Sequence, residues 1–235
     1  MFSCRQRITR VNPAVENFAS VAKHATVRSM QPVVVQHPLA QCHLAAIRAV
    51  ATPSHQFRRH LNLLARMLFL EATRELPVQE IAVRTPLSET TGSQLARPMV
   101  FVPILRAGLG LLDGILPLVP DASVAHVGIK RNEETALPHA YYANLPANLA
   151  AADVFLLDPM LATGGSACEG LRQLKEAGAH RITMICVVSC PEGLAALNRA
   201  HPDVPVYTAA IDDGLNEKCY IVPGLGDAGD RYFGT

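Results

Sequence analysis

The sequence predicts an α/β fold in which a mostly parallel sheet is flanked by helices. Five apolar segments have the length and composition of strands that are buried on both faces: residues 99–105, 123–130, 154–158, 181–188 and 204–211. Stretches with helical periodicity separate most of these segments, which is the alternation expected of a parallel sheet. Hydrophobic residues make up 49% of the 235 residues, enough for one substantial core.

The helical segments are recognised by periodicity and by their ends. Apolar residues recur at helical spacing from Phe57 to Leu68 and predict an amphipathic helix with Ser54 as its N-cap. A second helix is predicted over about 166–177, ending on Gly178 as the C′ residue. A third begins at Pro191, because proline is favoured in the first helical turn.

One apolar segment, residues 99–119, is long enough to cross a membrane. It contains Arg106, Asp113 and two prolines, Pro103 and Pro117, which do not suit a membrane helix. A buried strand followed by a loop and a helix explains the segment better. We therefore expect no membrane association.

The first 30 residues differ from the rest of the chain, because their basic residues accompany a single acid, Glu16. Three interpretations of this segment stay open: an organelle leader, a dispensable tail, or a sequence upstream of a true start codon at Met30. Residues 1–30 are treated as an N-terminal extension and residues 31–235 as one catalytic domain.

The net charge of the chain is +1, which predicts no nucleic-acid partner. The six cysteines have no metal-ligand spacing, and their use suits a reducing cytoplasm.

The stretch from Val154 to Ser166 combines an apolar strand, an acid at its end and a Thr-Gly-Gly-Ser turn that opens a helix. The free N–H groups of a first helical turn favour an anion. The carboxylate of Asp158 suits the two hydroxyl groups of a sugar instead. Together these features indicate a site for a ribose 5-phosphate, although an ordinary strand–turn–helix junction would use the same residues. A Walker P-loop is excluded, because its pattern does not occur.

The stretch Asp158-Pro-Met-Leu-Ala-Thr-Gly-Gly-Ser166 resembles the 5-phosphoribosyl-1-diphosphate (PRPP) loop of type I phosphoribosyltransferases, in the form of the uracil-specific branch. That family usually has two consecutive acids where this chain has Asp158-Pro159. Four further segments carry the resemblance, from roughly residue 31 to the end: 37–39, 103–110, 130–135 and 220–235.

The resemblance implies which residues hold PRPP. Arg106 and Arg131, each just past a predicted strand, would contact the diphosphate, whose oxygens a guanidinium fork matches. Asp227 would touch PRPP or its metal. Catalytic roles are therefore expected for Arg106, Arg131, Asp158 and Asp227. The expected loop contacts to PRPP are Asp158, Pro159, Met160, Leu161, Ala162, Thr163, Gly164, Gly165 and Ser166.

A glycine-rich segment near the C-terminus matches the spacing of a dinucleotide fingerprint at Gly224, Gly226 and Gly229. Only six residues follow Gly229, so we expect a loop there, without the helix and second strand that the fingerprint requires. Alternating backbone N–H and C=O groups suit the edge of uracil. By resemblance, the uracil site comprises Tyr220, Ile221, Gly226, Asp227 and Ala228.

The segment 132–152 is too polar and broken for a crossover helix and predicts a protruding arm or hairpin.

The resemblance as a whole implies a uracil phosphoribosyltransferase that converts uracil and PRPP to UMP and pyrophosphate. It also implies Mg²⁺ carried by PRPP rather than by a dedicated protein site, and a homo-oligomer. Two alternatives stay open: an RNA-binding regulator of pyrimidine genes on the same fold, and a purine-specific phosphoribosyltransferase.

Overall fold

The computed structural model describes residues 31–131 and 138–235. The N-terminal extension, residues 1–30, and the central part of the predicted arm, residues 132–137, lie outside the described residues. The division of the chain at residue 30 stays a prediction.

An eight-stranded sheet forms the centre of the fold, in the order β1-β12-β10-β8-β4-β6-β7, with β5 also paired to β4. All its neighbouring strands run parallel except β6 and β7. The predicted fold class is therefore confirmed. The strands are β1 (Val33–Val34), β4 (Met99–Leu105), β5 (Ser123–Val124), β6 (His126–Arg131), β7 (Pro138–Asn144), β8 (Asp153–Leu157), β10 (Ile182–Ile185) and β12 (Val206–Thr208).

A small second sheet lies beyond the carboxyl ends of the central strands. It consists of β9 (Met160–Leu161), β11 (Val188–Ser189) and β13 (Ala210–Ile211), all parallel. The predicted strands 181–188 and 204–211 are therefore each divided between two sheets. The N–H groups of Val187 and Val188 both donate to the carbonyl of Pro159, at 2.9 and 3.1 Å, which joins this sheet to the loop after β8.

Helices cover both faces of the central sheet. One face packs on α1 (Pro38–Arg48), α2 (Ser54–Ala72), α3 (Leu109–Ile115) and α6 (Ala228–Phe233), and the other on α4 (Gly165–Glu176) and α5 (Pro191–Ala200). In the first layer Phe69 meets Phe101 and Phe155 edge-on, with ring centroids 5.4 and 5.2 Å apart.

The predicted helix ends agree with the structure except at one cap. Gly178 follows α4 with φ +91°, and Pro191 begins α5, both as expected. Ser54 is the first residue of α2 rather than its N-cap, because Pro53 occupies the cap position in extended conformation and no side chain caps the helix. The proline ring fixes φ near the value that a helix start requires.

Two antiparallel strand pairs accompany the parallel strands, one at the edge of the central sheet and one as a separate hairpin. The predicted arm is present as β7, which pairs with β6 from His126↔Asn144 to Arg131↔Pro138. A second hairpin was not foreseen from the sequence: β2 (Val78–Arg84) pairs with β3 (Glu89–Leu95) over seven residues. Its two strands are mostly exposed, so neither contains the continuous apolar run of a buried strand.

The apolar segment 99–119 folds as the predicted strand, turn and helix, namely β4 and α3. Across residues 31–131 and 138–235, no helix is long and apolar enough to cross a membrane.

Candidate active site

The Thr-Gly-Gly-Ser turn between β9 and α4, residues 163–166, is called the cradle below because its geometry suits an anion. Gly164 adopts φ +80°, a conformation that L side chains rarely take, and this turns the chain into the helix. No side chain caps α4, so the N–H groups of its first turn face the turn region. The exposed hydroxyl of Thr163 accepts a hydrogen bond from the Gly165 N–H at 3.4 Å.

This loop lines a pocket of about 80 Å³. Eight of the nine loop residues predicted to bind PRPP border the pocket, namely Asp158, Met160, Leu161, Ala162, Thr163, Gly164, Gly165 and Ser166. Pro159 does not border it. That residue is buried, and its carbonyl accepts the two hydrogen bonds from Val187 and Val188, so its position supports the loop from behind.

Asp158 follows the last residue of β8 and is half-buried. Burial raises the pKa of Asp158 to about 7, and the hydrogen bond from the Met160 N–H to its Oδ1 (3.4 Å) opposes that rise. Among the described residues, no basic side chain is in hydrogen-bond contact with this carboxyl group. In its ionised form this carboxyl group accepts hydrogen bonds from two hydroxyl groups at once, which suits the diol of a sugar.

Arg106 lies in the turn between β4 and α3, beside the loop that follows β8. The Leu105–Arg106 peptide bond is cis. A Cβ on Gly108 would lie 2.4 Å from the carbonyl oxygen of Leu157, so glycine is required for the turn and the end of β8 to approach this closely. The guanidinium is 59% exposed, donates to Asp230 Oδ1 at 3.1 Å and lies 5.7 Å from the Phe233 ring centroid.

Arg131 is the last residue of β6, the strand next to β4. Leu105 pairs with Gly128, so Arg131 lies three residues further along β6. At about 3.3 Å per residue, its backbone is about 10 Å beyond that pair, at the carboxyl edge of the sheet. The backbone position agrees with the prediction that Arg106 and Arg131 share one edge.

The C-terminal segment forms a tight turn followed by a short helix. β14 (Gly214–Leu215) pairs with β15 (Ile221–Val222), and the chain then turns through Gly224 (φ +59°) and Gly226 (φ +77°). The expectation that no helix follows is wrong, because the last residues form α6. Six residues suffice for a helix here since Asp227 caps it: its Oδ1 accepts from the Asp230 N–H at 2.9 Å.

The five predicted uracil-site residues lie together on this turn but differ in exposure. Tyr220, Gly226 and Asp227 are exposed, whereas Ile221 and Ala228 are buried. The turn lies next to Arg106. A Cβ placed on Gly229 would be 3.2 Å from Asp227 Oδ1 and 3.9 Å from Arg106 Nη2, so both side chains border the same glycine.

Comparison with known proteins agrees with this arrangement. A family model described as uracil phosphoribosyltransferase matches residues 34–235. The chain belongs to the uracil phosphoribosyltransferase family. Uracil phosphoribosyltransferases of Enterococcus faecalis and Streptococcus mutans are each 49% identical to it over 203 residues, covering 86% of this chain and 97% of theirs. The solved structure of the AQ2163 protein from Aquifex aeolicus matches with a TM-score of 0.82 and 39% identity, covering 86% of this chain and 98% of that one.

In this member of the uracil phosphoribosyltransferase family, sequence reasoning missed three residues that hold the C-terminal turn. Arg48 and Asp212 form an ion pair behind it, and Arg231 donates to the carbonyls of Ile47, Leu225 and Ala49. A signal for Asp212 was present, because it directly follows an apolar strand, as Asp158 does. Arg48 lies in a helix far from every motif and gives no such signal.

The residues at this edge fit a magnesium ion that arrives with a phosphorylated ligand. Across the described parts of the chain, no group of three or more His, Cys, Asp or Glu side chains is placed to hold a metal. Asp227 is exposed and lies near the Arg106 turn. Mg²⁺ typically binds through one or two carboxylates, phosphate oxygens and water, so one exposed carboxylate suits it.

Proposed function

We propose that the protein transfers the 5-phosphoribosyl group of PRPP to N1 of uracil, forming UMP and pyrophosphate. One observation carries the proposal: three segments with complementary chemistry adjoin at the carboxyl edge of the sheet. They are the anion cradle at 163–166 with its acid, the Arg106 turn, and the main-chain turn at 221–228. Ligands of open α/β sheets bind at this edge.

The cradle is proposed to bind the 5-phosphate of PRPP, and Asp158 is proposed to bind its ribose. Backbone N–H groups at the start of α4 suit the 5-phosphate, because the helix dipole favours an anion there. Asp158, at the end of β8, suits the ribose hydroxyl groups. These assignments, with Thr163 and Ser166 as hydroxyl donors, are supported by the pocket that these residues line.

Arg106 and Arg131 are proposed to hold the diphosphate. Arg106 pairs with Asp230, and this exposed pair is readily exchanged for a more highly charged partner. Mg²⁺ bound to the diphosphate would neutralise leaving-group charge, and Asp227 is the proposed protein ligand. Uracil is proposed to lie on the 221–228 turn, read mostly by main chain, with Tyr220 at its margin.

The reaction requires the protein to position the two reactants rather than to form a covalent bond with either. N1 of uracil displaces pyrophosphate at the anomeric carbon with inversion, so the bond to the diphosphate oxygen breaks as the C–N bond forms. The N1 proton is released to the departing pyrophosphate or to water. The protein contributes by holding the two reactants in line and by placing guanidinium groups where negative charge accumulates. No side chain is proposed as a nucleophile.

The test is an assay of nucleotide formation from PRPP and Mg²⁺ with each nucleobase separately, using the wild type and Asp158→Asn. We expect UMP from uracil only, and a sharp loss in the variant. Nucleotide from a purine instead would support a purine-specific transferase. Failure with every base, together with salt-dependent RNA binding, would favour the regulator.

We propose that the protein is a homo-oligomer in the cytoplasm. The β2–β3 hairpin supports assembly, because two-stranded hairpins are marginally stable alone and this one exposes apolar side chains. Val78, Leu87 and Leu95 are 60, 96 and 38% exposed. Light scattering after size exclusion measures the mass directly, and a mass near the 25.3 kDa of one chain would contradict assembly.

A further inference from the structure

The last residue of α1, Arg48, forms a two-pronged ion pair with Asp212. Arg48 Nη2 lies 2.6 Å from Asp212 Oδ1, and Nη1 lies 2.8 Å from Oδ2. The Asp212 side chain is only 5% exposed and that of Arg48 24%. Two parallel bonds to a carboxylate fix the orientation of both side chains.

The same pair also binds both backbone groups of Gly224. Arg48 Nη1 donates to the Gly224 carbonyl at 2.7 Å, and the Gly224 N–H donates to Asp212 Oδ2 at 2.9 Å. Gly224 has φ +59°, and a Cβ there would lie 2.1 Å from the Ile221 carbonyl oxygen. The pair therefore holds the tightest point of the turn that carries the proposed uracil site.

A second arginine attaches the next residue of the turn to the same helix end. Arg231 Nη1 donates to the Leu225 carbonyl at 2.7 Å and to the Ile47 carbonyl, and Nη2 donates to the Ala49 carbonyl at 2.6 Å. Carbonyls at a helix C-terminus lack intrahelical partners, so they are available for this contact. The carboxyl end of α1 is thus the anchor of the turn.

We propose that Arg48 and Asp212 are positioning residues that set the affinity for uracil by fixing the main chain of residues 221–228. This inference rests on the proposed function. A base that is read by backbone N–H and C=O groups requires those groups at fixed positions, and no flexible side chain can compensate for a shift. Among the described residues, the base-side turn has no other ion pair behind it, whereas the PRPP cradle lies on β9 and α4, two strands away from β13, which Asp212 follows.

The test is Asp212→Asn, which keeps the shape of the side chain but replaces one acceptor oxygen with an N–H donor. That donor faces either the Gly224 N–H or Arg48, so one contact must be lost. Loss of a hydrogen bond to a charged group corresponds to about a ten- to hundredfold effect. We expect KM for uracil to rise by about that factor, with KM for PRPP changed less than about twofold. Arg48→Lys keeps the charge without the fork and is expected to give a smaller rise.

Asp153→Asn is the matched control. Asp153 is also a nearly buried acid paired with an arginine, Arg97, at 3.1 Å, but it starts β8 at the opposite edge of the sheet. Its loss is expected to lower stability and leave both KM values unchanged. Equal changes in uracil and PRPP kinetics for Asp212→Asn, or no change in a folded variant, would overturn the inference.

Amide hydrogen exchange separates this inference from the proposed function. The Gly224 and Leu225 amides are expected to exchange faster in Asp212→Asn than in Asp153→Asn, whether or not UMP is formed. A wild type without UMP synthesis defeats the proposed function, and unchanged exchange at these two amides defeats the positioning role.

Discussion

A single glycine in α5 offers a sharp test of how the PRPP cradle is held. Gly193 lies in the first turn of α5, against the chain segment that carries the cradle. A Cβ added at Gly193 would lie 2.4 Å from the Ala162 carbonyl oxygen and 2.5 Å from that of Leu161. Both atoms are backbone, so no rotamer change relieves the overlap. Gly193→Ala must therefore displace residues 161–162, which border the pocket.

The size of the effect follows from this geometry. Carbon and carbonyl oxygen usually approach to about 3.3–3.6 Å, so the carbonyls must move by about 1 Å. Overpacking costs about 1–3 kcal/mol, and the better helix propensity of alanine offsets about 1 kcal/mol. The net loss of stability is therefore small, about 0–2 kcal/mol. A 1 Å misplacement at a reacting centre lowers rates about 100-fold, so activity is expected to fall far more than stability.

Steady-state kinetics of UMP formation and urea denaturation measure the two quantities. Gly170→Ala is the control, because its Cβ would lie 3.4 Å from Leu156 Cδ1, an ordinary contact, in the interior of α4. It is expected to retain full activity and to gain about 0.5–1 kcal/mol of stability. A Gly193→Ala protein with kcat/KM for PRPP within about twofold of the wild type would refute the reasoning.

Three further outcomes are expected. Because burial raises the pKa of Asp158 to about 7, kcat/KM for PRPP should fall as pH drops below about 7, and Asp158→Asn should remove that dependence. Arg106→Gln should lower kcat/KM by about 100- to 1,000-fold, with stability changed by less than about 1 kcal/mol since its ion pair is exposed. Burial, then the charges of His60 and Arg59, lower the pKa of His43 below 6.5, so the unfolded chain binds protons more readily. Stability should thus be complete above pH 6.5 and decline below it in urea titrations, less steeply in His43→Gln.

Local signals in the sequence were sufficient for the central strands and for the PRPP loop. Buried parallel strands read as continuous apolar runs, and β4 begins and ends at the residues predicted for it, Met99 and Leu105. The Thr-Gly-Gly-Ser turn was recognisable because a positive φ at Gly164 requires glycine. The β2–β3 hairpin gave no such signal, since its strands are mostly exposed and polar.

The support of the uracil turn lies beyond local sequence reasoning for a physical reason. Arg48 and Asp212 are 164 positions apart, and Arg231 reaches Ile47 across 184. An arginine at a helix end and an acid after a strand each have a complete local explanation as solvated residues. The contact of the carboxyl end of α1 with the 221–228 turn brings them together, and α1 is held there by its packing on α2. A uracil site of the proposed kind, read by main chain, takes its accuracy from side chains that need not touch the substrate, which is why the kinetic split between uracil and PRPP is the decisive measurement.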